Sequence, residues 1–77
     1  MEIKVLGSGC SRCKKAFDVV NKVVQESGLN AEVEYITDIV RVMEYNVMAM
    51  PAIVVDGDVK IRGSVPTETE VKKILGL

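Results

Sequence analysis

Histidine and tryptophan are absent from this chain, and phenylalanine occurs once. Without histidine there can be no Cys–His dyad of the kind that activates a cysteine-protease nucleophile. An excess of charge is missing too. A formal net charge of −1 gives no electrostatic case for binding nucleic acid or an anionic membrane, so a partner has to be recognised locally. No apolar run approaches the roughly 18 residues that span a bilayer, and a strand-like segment starts at Glu2, which leaves no room for a secretory leader. A cytoplasmic location is therefore expected. No linker, internal repeat or low-complexity segment interrupts the chain, and proline occurs only twice. With 48% hydrophobic and 27% charged residues, the 77-residue chain has the composition of a folded protein and the length of a single domain, residues 1–77.

Cysteine is scarce as well, but both copies lie in one stretch, Gly7-Ser8-Gly9-Cys10-Ser11-Arg12-Cys13-Lys14-Lys15. In a cytosolic chain such a pair points to catalysis, redox sensing or metal binding rather than to a permanent staple. A disulfide closing so short a loop stabilises by only roughly 2 kcal/mol before native strain is subtracted. The stretch falls where a short apolar strand meets the start of a long amphipathic run. There, unpaired N–H groups and the positive end of the helix dipole favour a thiolate, the form that reacts. Arg12 and Lys14 add positive charge beside the pair. Lys14 and Lys15 read equally well as a solvated helix face, which leaves Arg12 the stronger electrostatic candidate.

The remaining elements follow from periodicity. Residues 2–6 are short and rich in apolar side chains on both faces, which suits an interior strand. From Cys13 onward, Ala16, Phe17, Val20, Val23 and Val24 recur at helical spacing until Gly28 supplies a stop. Residues 32–36 alternate charged and apolar side chains, the pattern of a strand with one face in water. Thr37 or Asp38 is placed to cap a short helix through about Tyr45, with Asn46 suited to its end. Met43 and Met48 read as packing residues.

After Met50 and Pro51, residues 52–55 form a continuous apolar run, the mark of a buried strand. Asp56-Gly57 signals a hairpin, residues 59–62 return as an alternating edge strand, and Gly63 ends it. Thr67 and Glu70 are spaced as a capping box for a last helix with Val71, Ile74 and Leu75 on one face. If the alternating strands are the edges, the order β-α-β-α-β-β-α gives a four-stranded mixed sheet in spatial order 2-1-3-4.

This order, the Cys10-x-x-Cys13 pair opening the first helix, and Met50-Pro51 opening the third strand together resemble the thioredoxin and glutaredoxin superfamily, specifically its short archaeal and bacterial thioredoxin-like members. The likeness covers essentially the whole chain. It implies an α/β thioredoxin-like fold of glutaredoxin size, with helices on both faces of the sheet and a cis Pro51 facing the cysteines. It also implies a thiol–disulfide oxidoreductase, with Cys10 as attacking thiolate, Cys13 as resolving thiol, and Ser11, Met50, Pro51 and Gly63 shaping a partner groove. No cofactor or metal is implied. The implied partners are disulfide-containing proteins and an upstream dithiol reductase, and a monomer is expected.

The sequence departs from the family pattern in two ways. Gly9 and Ser11-Arg12 stand where thioredoxins usually carry Trp-Cys-Gly-Pro-Cys, so the reduction potential stays open. Ser11-Arg12 and Ala49-Met50-Pro51 match neither the Cys-Pro-Tyr-Cys nor the Thr-Val-Pro clamp of glutaredoxins, so dependence on glutathione is not expected. Read without the resemblance, the same two thiols also suit a soft-metal carrier for copper or zinc, or a redox-regulated interaction module without turnover. Pro51 then reads as an ordinary strand-start proline, Met50 as core, and Gly63 as a strand stop.

Overall fold

A computed structural model describes residues 1–9, 11–47 and 49–77. Cys10 and Met48, which carried expectations above, lie outside the described residues. The elements are β1 (Glu2–Leu6), α1 (Ser11–Ser27), β2 (Glu32–Ile36), α2 (Ile39–Met43), β3 (Ala52–Val55), β4 (Asp58–Arg62) and α3 (Glu68–Ile74), in the expected order.

The sheet runs β2-β1-β3-β4, so β1, buried at Ile3, Val5 and Leu6, and the fully apolar β3 are central, and β2 and β4 form the edges. β1 and β2 pair in parallel from Glu2↔Glu32 to Leu6↔Ile36, and β3 runs antiparallel to both β1 and β4. The hairpin turns through Asp56 (φ 49°) and Gly57 (φ 86°), both left-handed as a type I′ turn requires. Beyond the turn the register shifts between Ile53 and Val54. Ile53 faces Ile61 and Val54 faces Val59, which leaves Lys60 as an extra residue in β4, a bulge the alternation did not reveal.

Strand alternation sends successive side chains to opposite faces, and each face is covered differently. On one, α1 (Ala16, Val20, Val23), α3 (Val71) and its C-cap Leu75 pack over Ile3, Val5 and Ile53. Valines lose χ1 freedom in a helix, so α1 is held by this packed stripe more than by propensity. On the other face, α2 inserts Val42 among Leu6, Ile36, Ala52 and Val54. These residues cluster where β1 and β2 end and β3 begins, the end of the sheet at which α1 starts.

So short a helix can turn little of its surface inward. Ile39, Val40 and Met43 are exposed, Met43 at 65%, which corrects the reading of Met43 as a packing residue: it follows Val42 directly and so points to another side of the helix. The helix also stops at Met43 rather than Tyr45, where the N–H groups of Tyr45 and Asn46 turn back to the carbonyls of Val42 and Met43, and Asn46 takes φ 57°. At its start, Asp38 is the cap, accepting from the Val40 N–H at 3.0 Å. Nearby, Lys4 Nζ donates to the Tyr45 hydroxyl at 3.1 Å, a bond that holds the Lys4 ammonium above the usual lysine range. Among the described residues, no helix is long and apolar enough to cross a membrane.

α3 has the expected capping box. The Thr67 hydroxyl accepts from the Glu70 N–H at 3.2 Å while the Glu70 carboxylate accepts from the Thr67 N–H at 3.2 Å. Thr67→Ala should therefore cost about 1 kcal/mol, seen as a fall of about 4–8 °C in the thermal midpoint. The same change at exposed Thr69, which caps nothing, should leave the midpoint in place.

Candidate active site

At the end of the sheet where β1 and β2 finish and β3 begins lie Gly7, the start of α1 (residues 11–15), residues 49–51 and Gly63. β1 delivers the first of them. Beyond Leu6, the Gly7 N–H donates to the Ile36 carbonyl at 3.0 Å, so the β1–β2 pairing runs one residue past the strand before the chain turns into α1.

Gly7 is buried, and its missing side chain is occupied space. A Cβ built on it would lie 2.6 Å from Cys13 Cβ, 2.7 Å from Cys13 Sγ and 3.2 Å from a Tyr35 ring carbon. The Cys13 side chain therefore rests on the bare backbone of Gly7, in the first turns of α1, at 0% exposure. One turn further along α1, Phe17 stacks on Tyr35 with ring centroids 5.3 Å apart. The sequence suggested only that Gly7 breaks a strand. Its role as the seat for Cys13 follows from a contact six residues away that no local pattern encodes.

Pro51 is fully buried, its peptide bond with Met50 is cis, and Met50 is half-buried against the α2-side core. The Pro51 carbonyl accepts from the Gly63 N–H at 2.9 Å, which ties the start of β3 to the residue just after β4. Gly63 has φ +73°, and a Cβ there would stand 2.9 Å from Ala49 Cβ. Ala49 had not been singled out beyond its place beside Met50 and Pro51. Arg12 reaches across the site, its Nη2 donating to the Gly63 carbonyl at 2.9 Å. Ser11 and Lys14 are exposed on the first turn of α1, and Lys15 is exposed with them. The described candidates thus gather at one end of the sheet, with Cys13 inside and Ser11, Arg12 and Lys14 on the surface.

A protein-family model described as Thioredoxin domain matches residues 1–76. The chain belongs to the thioredoxin family. Among its thioredoxin relatives, a protein named Thioredoxin from Methanothermobacter thermautotrophicus is 37% identical over 75 residues, covering 97% of this chain and 97% of the relative. Two proteins named Thioredoxin from Methanocaldococcus jannaschii are also similar. One is 32% identical over 73 residues, covering 95% of this chain and 84% of the relative; the other is 40% identical over 68 residues, covering 84% and 80%. Membership of the thioredoxin family supports thiol–disulfide oxidoreductase function in broad terms, and the four-stranded mixed sheet in order β2-β1-β3-β4 with three helices agrees with a thioredoxin-like fold.

Proposed function

We propose that the chain is a cytoplasmic protein-disulfide oxidoreductase that uses Cys10 and Cys13 as a dithiol. The observation that carries the assignment of roles is the complete burial of Cys13 against Gly7. A sulfur with no exposed surface cannot collide with a disulfide on another protein. It is well suited to attack a bond formed at its own neighbour. Attack on the partner then falls to Cys10.

The cycle follows from thiol–disulfide exchange. The Cys10 thiolate attacks one sulfur of the partner's disulfide. A mixed disulfide forms, and the partner's other sulfur leaves as a thiolate that takes a proton from water. Cys13 attacks the Cys10 sulfur, its proton passing to the partner sulfur that departs. The mixed disulfide breaks, the partner leaves with both sulfurs reduced, and the electron pair it gained is matched by the new Cys10–Cys13 bond. An upstream dithiol reverses these steps to reset the protein. Met50 and Ser11 present the edge against which the partner is seated, Pro51 shapes it from beneath as a buried residue, and no cofactor takes part.

Two measurements test this. A sample supplied with a small dithiol should reduce insulin disulfides faster than the dithiol alone. In Cys13→Ser, incubation with disulfide-bearing proteins should accumulate mixed disulfides at Cys10, because the second attack has been removed. Accumulation in Cys10→Ser instead would invert the roles. Absence of exchange, together with tight binding of one zinc or copper ion per chain, would replace this reading with that of a metal carrier.

A further inference from the structure

Arg12 is bound to a particular acceptor. Its guanidinium donates to the Gly63 carbonyl at 2.9 Å, a residue 51 positions away. Gly63 passes the connection on, donating its N–H to the Pro51 carbonyl at 2.9 Å. It also leaves no room for a side chain beside Ala49: a Cβ on Gly63 would stand 2.9 Å from Ala49 Cβ. A chain of two hydrogen bonds therefore runs from the first turn of α1, through Gly63, to Pro51. Both backbone polar groups of Gly63 are engaged in it.

If Arg12 served only as a positive charge, these contacts would be incidental. It is exposed, so its field is screened by water and ions over distances of about 8 Å, and a lysine would supply the same charge. A lysine cannot supply a planar fork that stays aimed at one carbonyl.

We propose that Arg12 is a positioning residue for disulfide exchange. By holding Gly63 it sets the first turn of α1 against the Ala49–Pro51 segment, so that a partner seated on Ala49 and Met50 meets the cysteine pair in line. This inference rests on the proposed oxidoreductase function. In-line exchange is sensitive to small displacements, and a misplacement on the order of 1 Å can cost about 100-fold in rate.

The test compares Arg12→Lys, which keeps the charge, with Arg12→Met, which keeps only the bulk. Both should fold with wild-type thermal midpoints. Both should lose about 10-fold in kcat/KM for insulin reduction, a partial form of that misplacement penalty. Amide hydrogen exchange at Gly63 should accelerate in both, because the strap that steadies its bond to Pro51 is gone. The pH profile of iodoacetamide alkylation of the reduced protein should coincide for wild type and Arg12→Lys.

Wild-type kcat/KM in Arg12→Lys overturns the proposal in favour of charge, as does a rate loss in Arg12→Met fully accounted for by a shifted alkylation profile. Unchanged Gly63 exchange in both variants overturns it as well. A wild-type protein inert toward insulin and other disulfides refutes the oxidoreductase reading itself. That result is distinct, because Gly63 exchange still reports whether Arg12 holds the loops.

Discussion

Cys10→Ser should bring insulin reduction down to the rate of the dithiol alone. A serine hydroxyl neither ionises near neutral pH nor forms a bond to sulfur that a second thiol can displace, so the first step of the cycle is lost entirely. Cys13→Ser should behave differently: the first attack survives, and the reaction stops after one event with the partner still attached. The two variants are separated by stopped-flow mixing with a chromogenic disulfide. Cys13→Ser should give a burst of at most one equivalent of released thiol, and Cys10→Ser none. If Cys10→Ser gave the burst, the buried sulfur of Cys13 would have to reach solvent, and the division of labour proposed above would be wrong. Neither change should move the thermal midpoint by more than about 4–8 °C, the shift that 1 kcal/mol produces in a domain of this size.

The largest expected loss of stability comes from adding one methyl group. Gly7→Ala puts a carbon 2.6 Å from Cys13 Cβ and 2.7 Å from its sulfur, and one of those atoms is fixed to the helix backbone, so rotation of a flexible side chain cannot relieve the clash. α1 has to move off the sheet, or β1 has to give up the bond from the Gly7 N–H to the Ile36 carbonyl. Overpacking of this kind costs about 3 kcal/mol, a large share of the roughly 5–15 kcal/mol that holds a domain together. The thermal midpoint should fall by roughly 12–24 °C. Cys13→Ala in the same chain should rescue only partly, since it removes the sulfur and leaves the Cβ. Gly9→Ala is the control. Gly9 has φ +83° and nothing within 4 Å of the added atom, so only left-handed backbone strain applies, about 1–2 kcal/mol. A midpoint for Gly7→Ala within 2 °C of wild type, read by circular dichroism, would show that the contact is soft.

The contrast between these two glycines shows what could be read from the chain. Elements governed by neighbours in sequence were legible. Alternation marked β2 and β4 as edges, Asp56-Gly57 marked the hairpin, Thr67 with Glu70 marked the start of α3, and the apolar stripe marked α1. Of the proposed site, the place of Cys13 at the start of α1 was legible, Cys10 lies outside the described residues, and the Met50-Pro51 pair and Gly63 came by resemblance. Contacts between distant segments were not. That Cys13 sits on Gly7, that Arg12 reaches Gly63, and that Gly63 leans on Ala49 depends on how three loops converge after the sheet has formed. Met43 was misread for a related reason: periodicity gives a helix face, but not how much of a five-residue helix the sheet has room to receive.

The bulge in β4 has a consequence for how this molecule behaves when crowded. An outer strand offers a row of free peptide groups onto which another chain can zip, the first step toward fibrils. Along β4 that row is broken at Lys60, with charged side chains at Asp58, Lys60 and Arg62, while the opposite border along β2 presents Glu32 and Glu34 to water. A foreign strand would have to match a kinked template at one border and displace charged, solvated side chains at the other, where Glu34 is paired with Arg41 at 3.0 Å. Both flanks of this small sheet are therefore guarded against runaway polymerisation.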